Sequence, residues 1–266
     1  MNPKVSMVLA VYNGGAKLRE SIESIINQSF ADFEFVIVDD ASTDTTAELL
    51  REYMQKDSRI VVVTNTENLG LTKSLNKGIR ASRGEYIARM DAGDTSEPSR
   101  FEKQVAFLES HPKHGLVGTW AFVIDEDSKR VGVMKYPTEH SLLKKALIKY
   151  NPIVHSSIMM RKSVVGVCGL YNESWTYAQD YELYFRIVAR STIANLGEYL
   201  VSYRISPQSI TRNKNKEQTL FAIRARMKAI QEGHYSKAAY WYLLKPFLGS
   251  LLSYNTKREI KKRFGK

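Results

Sequence analysis

Residues 33–40 read Phe-Glu-Phe-Val-Ile-Val-Asp-Asp, an apolar run that ends in two neighbouring carboxylates. Residues 84–94 read Gly-Glu-Tyr-Ile-Ala-Arg-Met-Asp-Ala-Gly-Asp and also end in acids. Short apolar runs bounded by polar turns are typical of buried strands. In open α/β sheets, ligands bind in the crevice outside the carboxyl ends of the strands. The two acidic ends therefore predict a site that can hold a ribose, a base edge or a divalent cation.

Strand-like and helix-like segments alternate around these two runs. Residues 4–11 and 60–64 are predicted as further strands, and apolar residues recur at helical spacing in the segments between them. Alternation of this kind predicts a parallel sheet covered by helices. The alternation breaks later, because residues 115–136 look like strands with a hairpin near residues 125–130. We expect an α/β fold with a mostly parallel, Rossmann-like central sheet and flanking helices.

The composition is that of an ordinary globular protein. The 266 residues are 43% hydrophobic and 11% aromatic, enough for one large core or for a core with a small appendage. The single cysteine, Cys168, cannot form an intrachain disulfide and has no neighbours at zinc spacing, which suits a reducing compartment. The apolar run near the N-terminus is too short for a signal-peptide core. We expect a cytoplasmic protein.

The net charge of +11 lies in the C-terminal part of the chain. Residues 212–266 contain 14 basic and 3 acidic residues, which leaves 25 of each kind in residues 1–211. A neutral body argues against nucleic-acid binding. Residues 238–252 are apolar and aromatic but shorter than the roughly 20 residues that cross a bilayer. Since residues 257–266 are strongly basic, we expect the tail to lie on an anionic membrane surface. The alternative is a helix that packs on the body of the protein.

Seven short motifs are spread between about residues 5 and 186. They are Ala10-Val-Tyr12-Asn13, Val38-Asp39-Asp40 with Ser42 and Asp44, Asn68-Leu-Gly70 with Asn76-Lys-Gly78, Gly84-Glu-Tyr-Ile, Asp91-Ala-Gly-Asp94, Asn151-Pro152 with His155, and Gln179-Asp180-Tyr181-Glu-Leu. Each motif is weak alone, but the seven in this order resemble the family 2 glycosyltransferases. That family implies a GT-A fold and inverting transfer of a sugar from a nucleotide-sugar donor.

The resemblance also implies how the chain is organised. Residues 1–211 would form a GT-A catalytic domain, with a nucleotide-sugar-binding half at 1–95 and an acceptor-binding half at 96–211. Residues 212–266 would form a basic amphipathic helical tail. In such enzymes we expect a UDP-sugar donor and a saccharide or lipid-linked saccharide acceptor in cell-surface glycan biosynthesis. A tail on the inner face of the cell membrane would bring the enzyme to a polyprenyl-diphosphate-linked acceptor.

The resemblance places the nucleotide-sugar site at the ends of the first strands. Its residues are Ala10, Tyr12, Asn13, Asp39, Asp40, Asn68, Gly70, Lys73 and Asp91. Asp39 can accept the N3 proton of uracil, whereas Asp40 either faces the ligand or only shapes the turn before the next helix. Gly70 permits close backbone approach in a tight turn. Lys73 either approaches the diphosphate or is a solvated lysine.

The metal motif departs from the pattern of the family. The usual form is Asp-x-Asp-Asp, but position 93 is glycine. A Mn²⁺ or Mg²⁺ ion needs hard oxygen ligands and neutralises the leaving diphosphate. The resemblance implies Asp91, Asp94 and His155 as metal ligands, with Asp94 replacing the missing carboxylate. Alternatively, Asp94 only caps the following helix and His155 is a core histidine.

Asp180 follows an aromatic loop and begins a predicted helix. The resemblance implies that it is the general base, which takes the proton of the acceptor hydroxyl; the alternative is a helix-capping aspartate. The residue before it is often Glu in the family but is Gln179 here. Trp175, Tyr177 and Gln179 would contact the acceptor, although aromatic core packing is an equally good interpretation of the two rings.

Two other functions stay open at this point. A sugar-phosphate nucleotidyltransferase also uses a nucleotide-binding sheet with metal-bound acids, but it should carry a glycine-rich basic loop after the first strand, which residues 12–17 imitate only faintly. A nucleotide-sugar-binding protein without turnover is the second, because Gly93 removes a metal ligand.

Overall fold

The structure is a computed structural model that describes residues 2–206 and 215–251. The strands within these ranges are β1 (Val5–Val11), β2 (Phe33–Asp39), β3 (Ile60–Thr64), β4 (Tyr86–Arg89), β5 (Thr95–Ser96), β6 (His114–Ile124), β7 (Arg130–Met134), β8 (Met159–Arg161) and β9 (Thr192–Arg204). The α-helices are α1 (Lys17–Ile26), α2 (Thr46–Lys56), α3 (Leu71–Ala81), α4 (Arg100–Ser110), α5 (His140–Leu147), α6 (Lys162–Cys168), α7 (Gln179–Val188), α8 (Asn215–Gln231) and α9 (Trp241–Leu251). Short 3₁₀ turns lie at His155–Ser157 and Lys237–Tyr240.

All nine strands belong to one sheet, in the order β3-β2-β1-β4-β8-β6-β9-β5, with β7 beside β6. Strands β1 to β4 pair in parallel, as strands joined by crossover helices do. Strand β8 is antiparallel to both β4 and β6, and β6 is parallel to β9. The predicted α/β fold with a mostly parallel sheet and flanking helices is confirmed.

The first half of the sheet is buried on both faces. Every residue of β1 and β2 is buried, as expected for parallel strands covered by helices on both sides. Helix α3 lies close to the sheet because it carries Gly78, where an added Cβ would come within 2.6 Å of a Val8 methyl carbon. Because β1, β2 and β4 run parallel, their carboxyl ends lie at one edge of the sheet.

The C-terminal helix α8 packs on α7. Its residues Ile223, Ala225, Ala229 and Ile230 are buried in the same hydrophobic cluster as Tyr181 and Leu183 of α7. The Arg226 side chain donates to the Tyr181 hydroxyl at 2.9 Å. The alternative expectation for the tail, a helix packed on the body, therefore describes α8. The predicted boundary at residues 211–212 lies outside the described residues.

Helix α9 differs from α8 in its exposure to solvent. Trp241 is 73% exposed and Leu248 is 59% exposed, and Tyr242, Leu244 and Phe247 are exposed as well. Within the described residues, no helix is both long and apolar enough to cross a bilayer. The basic segment 257–266 lies outside the described residues.

Candidate active site

The loops after β1 and β2 are tied to each other. Asn13 has a positive φ of 53°, and its side-chain oxygen accepts a hydrogen bond from the Thr43 backbone N–H at 2.8 Å. Its own N–H donates to the Ser42 hydroxyl at 3.0 Å. Ala10 is nearly buried, while Tyr12 is 49% exposed at the rim of the crevice. Asn13 thus shapes the loop on which Tyr12 is presented.

The two adjacent aspartates at the end of β2 both shape loops. Asp39 accepts from the Ser42 backbone N–H at 3.0 Å. Asp40 accepts from the backbone N–H groups of Leu69 and Gly70, both at 2.8 Å, and from the Asn65 amide. Burial alone would raise the pKa of Asp40, but these donors hold it below its ordinary value. Asp40 therefore shapes the loop before α3 rather than the turn before the next helix in the chain, α2, and its contact with the donor stays a prediction.

Asp40 thereby fixes the loop that leads into α3. Gly70 has φ of +83°, a conformation that favours glycine. Asn68 and Lys73, both exposed, lie on either side of it. Asp40 holds this loop at the end of β2, and the side of the loop that carries Asn68 and Lys73 faces solvent.

Asp91 is held by a buried arginine that the sequence reasoning missed. Arg89 is 1% exposed and forms a two-pronged ion pair with the Asp91 carboxylate. The Ser156 hydroxyl accepts from the Asp91 backbone N–H and donates to Oδ2, both at 3.2 Å. Burial disfavours the charged form of Arg89, but the Asp91 charge raises its pKa overall. A charged residue inside an apolar strand is the sequence signal for such a buried pair.

Asp94 lies buried next to this pair. Its Oδ1 accepts from the Arg204 backbone N–H at 2.8 Å, whereas its buried Oδ2 has no hydrogen-bond partner. Burial and the nearby charge of Asp91 raise the pKa of Asp94 to about 7. Gly93, with φ of +99°, allows the turn between Asp91 and Asp94.

The three predicted metal ligands do not form one cluster. Across residues 2–206 and 215–251, no group of three His, Cys, Asp or Glu side chains is placed to hold a metal ion. His155 is engaged elsewhere, because its Nε2 hydrogen-bonds to the Tyr171 hydroxyl at 2.8 Å and its ring lies edge-on to Tyr171 and Tyr184. Burial lowers the pKa of His155 well below its ordinary value, so the ring is neutral.

Asp91 and Asp94 alone fit a divalent cation. Mg²⁺ and similar ions often bind one or two carboxylates and complete their shell with phosphate oxygens and water. The buried Oδ2 of Asp94 has no hydrogen-bond partner, so it is the carboxylate oxygen that is left to hold such a cation. The pair could therefore hold a cation together with a bound diphosphate.

Asp180 lies in the first turn of α7, and its carboxylate is half-buried. Its Oδ2 accepts from the Asn151 amide at 2.9 Å, and Asn151 is fixed in turn by accepting from the Ile153 N–H. Burial raises the pKa of Asp180, and hydrogen bonds from Tyr181 and Asn151 offset part of the shift. The helix begins after Ala178, which has a left-handed φ of 53°. A carboxylate with a raised pKa is suited to take a proton.

The aromatic loop before α7 is anchored from within. Asn76 donates to the Tyr171 carbonyl at 2.8 Å and accepts from its N–H at 3.0 Å, and Thr72 donates to the Trp175 carbonyl.

Trp175 is 2% exposed and packs edge-on against Phe221 of α8. Its ring therefore offers no stacking face in this conformation. Gln179 is also buried, whereas Tyr177 is half-exposed.

The crevice thus combines loops at the carboxyl ends of three strands with a buried acidic motif and a separately held carboxylate. Residues 6–168 match the model of the family described as glycosyl transferase family 2. Because this match covers more than half of the chain, the protein belongs to glycosyl transferase family 2 and is a glycosyltransferase. The resemblance inferred from the motifs is confirmed, and the nucleotidyltransferase and non-catalytic alternatives are not favoured.

Two relatives illustrate the family. The O-antigen biosynthesis glycosyltransferase WbnJ of Escherichia coli is 32% identical over 213 residues, which are 77% of this chain and 81% of the relative. The UDP-Glc:alpha-D-GlcNAc-diphosphoundecaprenol beta-1,3-glucosyltransferase WfaP of Escherichia coli is 26% identical over 257 residues, which are 96% of this chain and 98% of the relative.

Solved structures bear out the fold. The Staphylococcus aureus TarS fragment 1–349 in complex with UDP-GlcNAc aligns with a TM-score of 0.73 at 18% identity, over 99% of this chain and 76% of that one. The Pyrobaculum calidifontis mannosyltransferase PcManGT with GDP-Man and Mn²⁺ aligns with a TM-score of 0.68 at 18% identity, over 95% of this chain and 71% of that one. At these identities the likeness extends to the fold, which is the predicted GT-A architecture.

Proposed function

We propose that this chain transfers one sugar, with inversion, from a UDP-sugar to a polyprenyl-diphosphate-linked saccharide during assembly of a cell-surface glycan. Family membership supports sugar transfer. A relative that aligns along nearly the whole chain is named for UDP-Glc and a diphosphoundecaprenol-linked acceptor. The observation that carries the proposal is the Asp180 carboxylate, which has a raised pKa and is held by Asn151 at the start of α7.

Asp180 is the general base in this proposal. It takes the proton from the acceptor hydroxyl while that oxygen forms a bond to the anomeric carbon. The bond between the anomeric carbon and the diphosphate oxygen breaks at the same time, and UDP leaves. A positioned base typically contributes about 10²- to 10⁴-fold in rate.

The nucleotide occupies the edge formed by the loops after β1, β2 and β3. In this proposal Tyr12 contacts the nucleobase of the donor. The exposed loop around Asn68 and Gly70 borders the sugar-diphosphate. Asp39 contributes its carboxylate to the site. It also contributes the backbone of its loop, which is held in place because the Ser42 N–H donates to Oδ1. Gly70 leaves room for close approach of the donor, because no atom lies within 4 Å of the position an added Cβ would take.

Asp91 and Asp94 would hold a divalent cation, Mn²⁺ or Mg²⁺, in this proposal. Bound there, the cation would neutralise the charge that develops on the leaving UDP. The buried, unpartnered Oδ2 of Asp94 supports this assignment. His155 supports the site through Tyr171 rather than as a ligand.

Titration calorimetry of UDP with and without Mn²⁺ tests the donor and metal assignments. We expect UDP affinity to increase with Mn²⁺ in the wild type and to lose that increase in Asp94→Ala. An Asp127→Ala variant serves as the control, because Asp127 is exposed in the turn between β6 and β7. Equal UDP affinity with and without Mn²⁺ in the wild type would refute the metal assignment. No measurable affinity for UDP would refute the assignment of a UDP-sugar as the donor.

We also propose that the protein associates peripherally with an anionic membrane through α9. This helix exposes apolar and aromatic side chains, as interfacial helices do. Flotation with vesicles containing phosphatidylglycerol tests it. We expect binding to fall several-fold in Leu244→Ser/Leu248→Ser and to persist in Val131→Ser/Val133→Ser, which removes equally exposed apolar residues from β7. Equal flotation of both variants would contradict the role of α9.

A further inference from the structure

A cavity of about 920 Å³ lies between α5 and the segment that joins α8 to α9. One wall is α5 with the residues that follow it, including Lys144, Lys145 and Lys149. The other wall carries Trp241 and Tyr242 of α9. The family assignment gives this cavity no role, and it is separate from the acidic crevice at the strand ends.

The charge of the cavity is one-sided. Three lysines line it, and none of the described residues that line it is acidic. Lys145 and Lys149 are exposed, and the Lys149 ammonium lies 5.0 Å from the centre of the Tyr242 ring. A group of ammonium donors without acidic partners is complementary to a multiply charged anion such as a diphosphate.

The remaining lining favours a hydrocarbon chain. Ile148, Ala238 and Ala239 contribute apolar surface beside the rings of Tyr235 and Trp241. The Tyr235 hydroxyl donates to the Lys144 carbonyl at 2.9 Å, which ties the two walls together. Ligand sites are commonly apolar cavities with a few polar groups that fix orientation. A ligand with a diphosphate head and an apolar tail matches both parts.

The chain that forms one wall of the cavity continues to the residue that holds the proposed base. Lys149 is followed two residues later by Asn151, whose amide donates to Asp180 at 2.9 Å. Two residues of extended chain span at most about 7 Å between Cα atoms. Tyr181, the neighbour of Asp180, also donates to the carbonyl of Leu147 at the end of α5. A diphosphate bound by Lys149 would thus be held close to the residue that positions the base.

From these observations we infer that the cavity binds the polyprenyl diphosphate of the acceptor, with its diphosphate on Lys145 and Lys149 and its chain against Trp241. This inference rests on the proposed function, because it names the subsite for the lipid part of the proposed acceptor. The sugar at the end of the diphosphate would then extend toward Asp180.

Binding of farnesyl diphosphate tests the inference on the full chain. The titration is made with saturating UDP and Mg²⁺, so that the donor site is occupied. We expect the Kd to rise at least about tenfold in Lys145→Gln/Lys149→Gln, since both ammonium groups that would face the diphosphate are lost. The matched control is Lys113→Gln/Lys129→Gln, which removes two exposed lysines elsewhere and should change the Kd less than about twofold.

Three further probes separate the possible ligands. The Trp241→Ser variant should also bind farnesyl diphosphate more weakly than the wild type does. Inorganic pyrophosphate should bind the wild type much more weakly than farnesyl diphosphate does. Equal binding of pyrophosphate would overturn the inference, because the chain would not be recognised. Monomeric short-chain phosphatidylglycerol that displaces farnesyl diphosphate at equal phosphate concentration would overturn it in favour of general anionic-lipid recognition. Unchanged affinity in the lysine variant would overturn it as well.

The failure of the inference can be distinguished from the failure of the proposed function. UDP binding is measured first in the same samples. If UDP binds and farnesyl diphosphate does not, only the cavity assignment is wrong. If UDP does not bind, the proposed donor is wrong, while farnesyl diphosphate titrated without UDP still decides the role of the cavity.

Discussion

The amide of Asn151 donates a hydrogen bond to Oδ2 of Asp180 at 2.9 Å. Asn151 comes from the segment after α5 and Asp180 from the start of α7, so the contact joins two elements that are far apart in the chain. The hydrogen bond stabilises the charged carboxylate and opposes the effect of burial on its pKa. Asn151 is therefore expected to position the base and to keep it ionised.

Replacing Asn151 by alanine should lower kcat and move the acid limb of the kcat–pH profile to higher pH. The shift should be on the order of one pH unit, because a hydrogen bond to a charged group contributes about 1.5–3 kcal/mol. The measurement is a pH series of sugar transfer at saturating donor. A lower kcat with an unchanged profile would mean that Asn151 has only a structural role.

Asp180→Asn should abolish transfer and leave UDP affinity nearly intact, because the amide fills the same space but cannot take a proton. The loss in kcat should reach about 10²- to 10⁴-fold. Sugar-transfer assays give kcat, and UDP calorimetry on the same preparation gives the UDP affinity. Substantial turnover by Asp180→Asn would remove Asp180 from the role of base.

Asp94 should make the metal-free protein less stable as pH rises. Its pKa is raised from the ordinary 3.8 to about 7, so the folded state binds a proton more tightly than the unfolded state does. The stabilisation is complete below about pH 4 and is lost as pH rises to about 7, with a slope of at most about 1.4 kcal/mol per pH unit.

Comparison with Asp94→Asn isolates this contribution from other titrating groups such as His155. Urea unfolding in EDTA between pH 4 and pH 8 measures the free energy of unfolding for both proteins. The difference between wild type and variant should change across that window and level off above it. A difference that is constant with pH would show that Asp94 keeps its ordinary pKa.

Arg226→Met should destabilise the protein by about 1–3 kcal/mol, because the Tyr181 hydroxyl loses a buried donor while the volume is roughly kept. Urea unfolding measures the change, and Lys237→Met, on an exposed lysine, is the control. A variant as stable as the control would mean that the hydrogen bond from Arg226 to Tyr181 does not help to hold α8 on α7.

The strands that carry the site could be predicted from the sequence because an apolar run and the acids that end it are close together in the chain. An apolar run that ends in acids marks the ends of β2 and β4 directly, and the order of motifs indicated the family. The pairing of Asp91 with Arg89 and Ser156 could not be predicted in full, since Ser156 lies 65 positions away. In the same way, nothing near His155 in the sequence indicates that its ring is bonded to Tyr171.

The C-terminal part shows a different limit. The apolar spacing of Leu220, Ile223, Met227 and Ile230 predicts one apolar face on this helix, but only Ile223 and Ile230 are buried, whereas Leu220 and Met227 are exposed. A pattern on one helix does not say which part of its face is covered. Helix α7 covers the buried part, and its Glu182 is paired with Arg186 of the same helix and with Lys228 of α8.

The shared core of α7 and α8 has a practical consequence for how the enzyme can be shortened. The matched family region ends at residue 168, before Asp180, yet buried residues of the same cluster continue to Leu243. A fragment cut at the family boundary would lack the proposed base. One cut after β9 would leave Glu182 without one of its cations and uncover the apolar side of α7. The smallest soluble form suitable for crystals or inhibitor screening should therefore retain α8 and the start of α9.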